Sequence, residues 1–347
     1  MDVGLLTLGD VVTDPLTGTR RTHAERHRNV VDQAVRAERC GFAGVHVGEH
    51  HFCDYVISSP PVVLAAIAER TTTLRLSTGV ALGVNLDPVR LAEDYATVDV
   101  LSAGRVEPCI GRGTFFPHTF AAFGQDPRRA HDLFAENLEL LLQLWTAEEV
   151  HWSGEFRAPL HGQVTTPRPV QQPRPPIWLG AGASATSVEL AARLGLRLML
   201  PTVFGTPEMF VPIVELYEER WEQHGHDPAD RRIGCVSHAH VRRDSAEARA
   251  RWEPRYRAYI EWVNDLQSRS SEGRNPGLGG FDFESLCRHT ALCGSPAEVL
   301  DRMSTLQEQL HLDTHVLMFD MGGLPDDELF ETIDLVGAEI VPALRAR

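Results

Sequence analysis

The chain has 347 residues, of which 43% are hydrophobic, so it can bury the core of one large α/β domain or of two smaller ones. Its formal net charge of -15 argues against nucleic acid or an anionic membrane as a partner, because both bind basic surfaces. All 33 basic residues are Arg, and the lack of Lys excludes Schiff-base chemistry, a pyridoxal phosphate lysine and a P-loop lysine.

The first residues, Met1–Leu8, contain neither a basic segment nor a long apolar run. A secretory signal needs both, and a membrane-spanning helix needs about 20 apolar residues. We therefore expect a cytoplasmic protein without a membrane anchor.

Eight apolar segments are predicted as buried strands, because their residues are apolar in runs or in alternation and turn residues bound them. In chain order the strands are Val3–Leu8, Ala43–Val47, Leu74–Leu82, Arg105–Ile110, Ile177–Ala181, Arg197–Leu200, Ile233–Val241 and Thr314–Phe319. A helix is predicted after each strand. The helices are Thr22–Gly41, Pro60–Arg70, Pro88–Leu101, Arg129–Trp145, Ser184–Leu194, Pro207–His224, Asp244–Leu266 and Asp326–Leu344.

This alternation of strand and helix predicts an α/β fold, a (β/α)8 TIM barrel with insertions that forms a single domain over residues 1–347. An open doubly wound sheet is the alternative, although it would not normally need eight units. Two capping boxes mark helix starts, one formed by Thr22 with Glu25 and one by Ser295 with Glu298.

Two segments depart from the alternation. Residues 148–176 are rich in proline and partly β-like, and the pattern resumes directly after them, so we interpret them as an inserted hairpin and loop. Residues 268–280 contain four glycines, and a segment of that length is typical of an active-site lid.

Ionisable residues follow the second predicted strand where that strand should end. The segment Gly44–Phe52 begins with apolar alternation and continues with Glu49, His50 and His51. In parallel α/β proteins the carboxyl ends of the strands form the ligand site, so these three side chains are candidates for chemistry. The alternative is that each His only satisfies a hydrogen bond of its loop.

Two further strand ends carry groups suited to an anion. Arg112 lies between two glycines at the end of the fourth strand, where an arginine can clamp an oxyanion; the alternative is a salt bridge to a neighbouring loop. Residues 180–187 join the fifth strand to a helix whose free N–H groups attract a phosphate. This second motif is equally compatible with a plain glycine-rich turn, since it lacks the full dinucleotide-binding spacing.

A catalytic metal is an alternative for the same strand ends. His238 and His240 have the H-x-H spacing of barrel hydrolases, and Asp320 ends the eighth strand as the catalytic carboxylate of those enzymes does. Those enzymes carry H-x-H after the first strand, which here ends in Leu8-Gly9-Asp10. We therefore expect no bound metal.

Ordered motifs over nearly the whole chain resemble the family of bacterial luciferase-like flavin monooxygenases. In the N-terminal half the motifs are Cys40-Gly41-Phe42, Glu49–Phe52, Thr78–Val80, Asp87–Asp94, Leu101–Arg105 and Gly111–Gly113. In the C-terminal half they are Pro176–Gly180, Tyr217, Gly225–Asp227 and Gly294–Glu298. The resemblance implies a TIM barrel that holds FMN in its mouth.

The resemblance also implies roles for the site residues. His50 matches the catalytic histidine near the reactive face of the flavin, and Arg112 matches the arginine that grips the FMN phosphate. Gly79-Val80 matches the peptide, cis in luciferase, that presses against the flavin ring. The residues expected to bind the cofactor are Glu49, Thr78, Gly79, Val80, Arg112, Gly182, Ala183, Ser184, Thr186 and Ser187. The residues expected to line the substrate pocket are His51, Phe52, Phe115, Phe116, His118, Pro201 and Thr202.

The implied reaction is the oxidation of a small organic substrate, for example an aldehyde, by dioxygen and reduced FMN through a flavin C4a-peroxide. His50 would control the protons of that reaction, because an imidazole with a pKa near neutral can both take and give a proton. The implied partners are a separate flavin reductase, which supplies the reduced FMN, and a second copy of the chain. The helices Pro60–Arg70 and Pro88–Leu101 resemble the pair through which members of the family form homodimers.

Two other functions stay open at this point. One is a deazaflavin-dependent enzyme of the same superfamily that transfers a hydride and does not use dioxygen. The other is a non-catalytic relative that binds FMN.

Overall fold

A computed structural model of the chain describes residues 1–182, 184–271 and 280–346. Ala183, one of the residues expected at the cofactor phosphate, lies outside the described residues. So does most of the predicted lid at 268–280, whose first residues form the end of a long helix.

The helices and strands follow one another in chain order. Up to residue 163 they are β1 (Asp2–Thr7), α1 (His23–Arg39), β2 (Gly44–Val47), α2 (Pro60–Ala68), β3 (Arg75–Thr78), β4 (Ala81–Leu82), α3 (Pro88–Leu101), β5 (Cys109–Gly111), α4 (His118–Ala122), α5 (Ala130–Thr146), β6 (Val150–Trp152) and β7 (Leu160–Gln163). After residue 163 they are β8 (Trp178–Gly180), α6 (Ala185–Arg193), β9 (Arg197–Leu200), α7 (Val211–Gln223), β10 (Ile233–Val241), α8 (Ser245–Ser270), α9 (Phe283–His289), β11 (Ala291–Gly294), α10 (Pro296–Leu310), β12 (Thr314–Met318), α11 (Asp326–Leu335) and α12 (Val341–Arg345). A π-helical segment, Val336–Ile340, joins α11 to α12, and short 3-10 turns lie at Pro127–Arg129, Thr202–Phe204, Pro207–Met209 and Pro228–Asp230.

Parallel strands form the barrel. Their order is β3-β2-β1-β12-β10-β9-β8-β5-β4. β3 and β4 are two halves of the third predicted strand, which is interrupted at Gly79-Val80, where the peptide bond is cis. β3 and β4 are the two ends of this order. The sheet closes between them, since Leu76 of β3 forms a parallel bridge with Val106. The prediction of a single-domain TIM barrel is confirmed.

The structure contains a strand, β11, that the sequence pattern did not predict. It pairs in parallel with the second half of β10, so that His240 lies opposite Cys293. β10 has nine residues and extends beyond its pairing with β12. The backbone N–H and C=O groups of this extension need hydrogen-bond partners, which β11 provides. The four residues of β11 lie between two helices and carry too little pattern of their own to indicate a strand.

Between α5 and β8 the chain forms the antiparallel pair β6 and β7, which lies outside the barrel sheet. This pair falls within residues 148–176, where we predicted an inserted hairpin. Both predicted capping boxes are present, with Glu25 at the start of α1 and Glu298 at the start of α10. Among the described residues, no helix is both long and apolar enough to cross a bilayer.

Alternation along the strands separates two apolar cores. Leu5 of β1 and Leu317 of β12 are fully buried and belong to the cluster that packs against the helices. Their neighbours Leu6 and Met318 belong to a second cluster, and both line the mouth of the barrel. Successive side chains of a strand point to opposite faces, so every second strand residue is available to build a site.

A buried ion network joins α1 to the ends of β1 and β12. The Nη2 atom of Arg26 lies 2.6 Å from Oδ2 of Asp320 and 3.4 Å from Oδ1 of Asp10, and all three side chains are about 1% exposed. Gln33 and Thr7 also donate to Asp320 Oδ2, at 2.9 and 2.5 Å. Burial raises the pKa of Asp10 to about 6 although Arg26 opposes that shift.

We expect Arg26→Met to lower the free energy of unfolding by about 3–5 kcal/mol, because it leaves buried carboxylates without their cation. Chemical denaturation measures the loss. The matched control is Arg90→Met, since Arg90 is 67% exposed and its ion pair with Asp94 should contribute less than about 1 kcal/mol. Equal losses in the two variants would contradict a structural role for the network.

Candidate active site

A cavity of about 490 Å³ opens at the carboxyl ends of the barrel strands. Its size is ordinary for a site that binds a cofactor or a small organic molecule. Its lining from the strands, their loops and α6 includes Leu6, His46, Glu49, His50, Tyr55, Thr78, Gly79, Val80, Arg112, Phe115, Phe116, Gly180, Gly182, Ser187, Met199, Pro201, Phe204, Val236 and His238. Its lining from α8 is Tyr259, Val263 and Gln267.

His50 is held in the cavity wall by its backbone and by aromatic rings. Its backbone N–H donates to the carbonyl of Ile57 at 2.9 Å. Its imidazole stacks on Tyr55, with 4.1 Å between ring centroids and an interplanar angle of 24°, and meets the edge of Phe116 at 5.4 Å. The Nδ1 atom is buried and has no hydrogen-bond partner in the described part of the chain. The ring position is therefore fixed by packing, which leaves its nitrogens for a ligand.

The protonation state of His50 differs from the sequence expectation. Burial, with a smaller contribution from His51, lowers its pKa to about 3, whereas we expected a value near neutral. A charged imidazole is disfavoured because apolar rings replace water around it. At neutral pH the ring is uncharged and carries one N–H donor and one acceptor nitrogen.

This shift predicts how stability depends on pH. Below about pH 6.5 the unfolded chain protonates His50 and the folded protein does not, so the free energy of unfolding should fall as the pH drops from about 6.5 towards 3. One such group contributes at most about 1.4 kcal/mol per pH unit. We expect a shallower slope in His50→Phe than in the wild type, measured by urea denaturation at several pH values. Identical slopes would contradict a neutral, buried His50.

Glu49 ties the loop after β2 to the interrupted third strand. Its Oε2 accepts the backbone N–H of Leu82 at 2.9 Å, and its Oε1 lies 2.8 Å from Nε2 of His51. This contact turns His51 away from the cavity, and the His51 carbonyl in turn contacts Nε2 of His118 at 3.1 Å. Phe52 follows with a φ of 58° and a side chain that is 71% exposed.

Val80 contributes an apolar surface to the cavity lining. It sits against Gly111 and Gly180, where a Cβ atom at either position would lie 2.8 Å from its side chain. Thr78, just before the cis peptide, is anchored through its hydroxyl, which donates to the carbonyl of Cys109 at 2.5 Å. Two glycines and one anchored threonine therefore determine how far Val80 projects.

An arginine and a serine line the cavity close after β5 and β8 in the chain. Arg112 lines it and forms no ion pair with the residues that the structure describes. At the start of α6, Ser184 caps the helix by accepting the N–H of Ser187, and its hydroxyl lies 2.8 Å from that of Thr186. The Ser187 side chain is buried and faces the cavity. An arginine, hydroxyls and a helix N-terminus together suit a phosphate group.

The structure brings together most of the residues that were expected at the site. Those lining the cavity are Glu49, His50, Thr78, Gly79, Val80, Arg112, Phe115, Phe116, Gly182, Ser187 and Pro201. Others lie outside its lining, namely His51, Phe52, His118, Ser184, Thr186 and Thr202. Thr202 is occupied elsewhere, because its hydroxyl donates to the carbonyl of Val236 at 2.5 Å.

Several cavity residues were not identified from the sequence. His46 points inward from β2, and Tyr55 stacks on His50 after the loop turns back. Tyr259 joins the site from α8 through a hydroxyl contact of 2.9 Å with Tyr55. The spacing of Tyr259, Val263 and Gln267 on one helical face was a signal in the sequence, but the same spacing is typical of any buried helix.

The residues of the metal alternative are separated in the structure. His238 lines the cavity, but His240 is buried beyond it and lies parallel to Trp252, with 6.1 Å between centroids. Asp320 is held by Arg26. Over residues 1–182, 184–271 and 280–346, no group of three or more His, Cys, Asp or Glu side chains is arranged to hold a metal ion.

Known proteins resemble this chain in sequence and in fold. A family described as "Luciferase-like monooxygenase" matches residues 1–312. The oxygenase component of the flavin-dependent trigonelline monooxygenase of Acinetobacter baylyi is 29% identical over 55% of this chain and 53% of its own.

Two solved structures resemble the whole chain. The monooxygenase RslO1 of Streptomyces bottropensis has a TM-score of 0.84 and 27% identity, covering 99% of this chain and 100% of its own. The oxygenating constituent of 3,6-diketocamphane monooxygenase of Pseudomonas putida, in complex with FMN, has a TM-score of 0.77 and covers 99% of this chain and 98% of its own. At 18% identity this second likeness concerns the fold alone. Because the family match extends over residues 1–312, the chain belongs to the luciferase-like monooxygenases.

Proposed function

We propose that the protein is the oxygenase of a two-component system that uses reduced FMN and dioxygen to oxidise a small organic substrate. The observation that carries this proposal is the set of groups that line one cavity. Arg112 and Ser187 of α6 supply a cation and a hydroxyl, Val80 supplies an apolar surface, and neutral His50 lies in the wall with an Nδ1 atom that has no hydrogen-bond partner among the described residues.

The residues fit FMN. A phosphate needs charge and donors, and Arg112, the Ser187 hydroxyl and the N-terminus of α6 provide both. A flavin ring is flat and largely apolar, which suits contact with Val80. Glu49 was expected to bind the cofactor, but both of its carboxylate oxygens are engaged, so we assign it to positioning the loop of His50.

Reduced FMN, when bound, supplies two electrons for the activation of dioxygen. The protein contributes by excluding water and by controlling protons near the ring. Phe115, Phe116 and Tyr55 make the wall around His50 apolar. The His50 imidazole can donate one proton and accept another at its two nitrogens without first becoming charged.

The test is to add reduced FMN, or the reduced deazaflavin coenzyme, together with a panel of aldehydes and aromatic substrates. Dioxygen uptake, photons and products are recorded together. We expect uptake that depends on substrate, and an oxygenated product, with FMN alone. Product formed with the deazaflavin coenzyme and without dioxygen would favour the hydride-transfer alternative. Tight FMN binding without turnover of any substrate would favour a non-catalytic FMN-binding protein.

The remaining parts of the proposal concern partners and location. A separate flavin reductase would supply reduced FMN to a cytoplasmic enzyme. A homodimer would form through α2 and α3, where Val62, Val100 and Leu101 are 69%, 46% and 49% exposed. Size-exclusion chromatography with light scattering measures the mass, and Val62→Asp should shift it from dimer to monomer.

A further inference from the structure

The helix α8 presents to the cavity a polar side chain that has no hydrogen-bond partner in the described part of the chain. Tyr259, Val263 and Gln267 line the cavity and are spaced four residues apart, so they share one face of the helix. The Gln267 side chain is 0% exposed, and neither its Oε1 nor its Nε2 has a hydrogen-bond partner among the residues that the structure describes. A buried amide without hydrogen bonds costs free energy, so its place in a cavity wall points to a ligand that completes it.

His238 adds a second polar group to the same side of the cavity. Its Nδ1 lies 3.0 Å from the hydroxyl of Tyr256, and burial lowers its pKa to about 4, so the ring is neutral at pH 7. The buried Tyr256 hydroxyl has no other acceptor in the described ranges, so it donates to Nδ1. The imidazole proton then sits on Nε2, which becomes a hydrogen-bond donor for a ligand.

Aromatic side chains make up much of the cavity that Gln267 and His238 line, and its charged lining residues in the described part of the chain are Glu49 and Arg112, of which Arg112 is assigned to the cofactor. Phe115 packs on Phe116 with 4.8 Å between centroids and on Phe204 with 5.2 Å, and both contacts lie in the cavity lining. The carboxylate of Glu49 is already bonded at both oxygens. An ionised substrate group beside Gln267 would therefore be desolvated without a counter-charge, whereas a neutral ring can stack on the aromatic side chains.

We propose that Gln267 determines substrate specificity. Its amide hydrogen-bonds to a neutral, flat aromatic substrate that carries a donor and an acceptor side by side, such as an amide or a carbonyl next to a hydroxyl group, and His238 adds a donor. The inference rests on the proposed function, since it assigns Arg112 to the cofactor and leaves this side of the cavity to the substrate. The terminal torsion of a glutamine is broad, so a small rotation can turn either amide atom toward the ligand.

The test compares two probes of similar size and different polarity, 2-naphthamide and 2-ethylnaphthalene. Equilibrium dialysis measures the dissociation constant of each for the full chain in the presence of FMN. We expect the preference for 2-naphthamide over 2-ethylnaphthalene to fall about 10-fold in Gln267→Met, which keeps the length of the side chain and removes two hydrogen bonds. Ser268→Ala, at an exposed neighbour on the same helix, should leave the preference unchanged.

Thermal unfolding of the same variants separates recognition from structure. Without a ligand, the Gln267 amide forms no hydrogen bonds with the described residues, so its removal breaks none. Gln267→Met should therefore be as stable as the wild type or more stable. Equal loss of affinity for both probes, an unchanged preference, or no binding of 2-naphthamide to the wild type would each overturn the inference.

An FMN titration distinguishes the two proposals. If FMN binds and the preference is unchanged in Gln267→Met, only the role of Gln267 is rejected. If the wild type binds no FMN, the proposed function is rejected, and dialysis without FMN still measures the preference between the probes.

Discussion

Replacing His50 with Ala should lower the rate of product formation about 10²–10⁴-fold while dioxygen is still consumed and released as hydrogen peroxide. His50 has a buried Nδ1 without a partner in the described ranges and a neutral ring, so its nitrogens are free to hold or move a proton in the cavity. Loss of that control lets solvent protons release hydrogen peroxide before substrate is oxidised. Product yield per dioxygen consumed, measured with reduced FMN and an accepted substrate, reports the effect.

Two further variants separate proton control from packing at His50. His50→Phe keeps a ring against Tyr55 and Phe116 and removes both nitrogens, so it should lose product as His50→Ala does. His50→Gln keeps a donor and an acceptor and should retain part of the yield. FMN affinity should change little in all three. A normal yield in His50→Phe would show that the ring only fills space.

The pH profile of this reaction gives an independent check. Because the pKa of His50 is lowered to about 3, its ring does not change charge above about pH 5. The yield of product per dioxygen should therefore show no inflection caused by His50 between pH 6 and 8. An inflection in that range that disappears in His50→Gln would contradict the neutral imidazole.

Replacing Arg112 with Ala should weaken FMN binding about 10–100-fold, since a charge-assisted hydrogen bond to a phosphate contributes about 1.5–3 kcal/mol. Arg112 lines the cavity, forms no ion pair with described residues, and shares the cavity lining with the buried Ser187. Fluorescence titration with FMN measures the dissociation constant. Riboflavin, which lacks the phosphate, should bind the variant and the wild type with similar affinity.

Two matched variants test whether charge or geometry matters at this position. Arg112→Lys keeps the charge but loses the planar pair of donors, so its affinity should lie between those of the wild type and Arg112→Ala. Arg128→Ala removes an arginine that is 87% exposed and paired with Asp126, and it should not change FMN binding. Unchanged affinity in Arg112→Ala would reject the phosphate assignment.

Much of the fold could be predicted because its signals are local. The capping box at Thr22 and Glu25 and the bounds of helix Pro88–Leu101 depend on residues a few positions apart, and both agree with the structure. The apolar runs that became β9 and β10 also have the predicted bounds, because buried parallel strands differ clearly in composition from the turns that flank them. Strand β11 escaped prediction because only its pairing with β10 makes it a strand.

The candidate site likewise has some features that follow from local sequence and others that depend on the tertiary fold. The sequence by itself determined that Glu49, His50 and Arg112 follow strands, and parallel strands in a barrel must bring those ends to one face. Tertiary structure alone decided that His50 faces the cavity, whereas the adjacent His51 turns to Glu49. It also decided that burial keeps the His50 ring neutral. Finally, it brought Tyr259 and Gln267 to the site from a helix about 200 residues further along the chain. The physical reason is that strand position follows from local pattern, whereas side-chain direction, desolvation and contacts between distant segments depend on which groups the completed fold places next to one another.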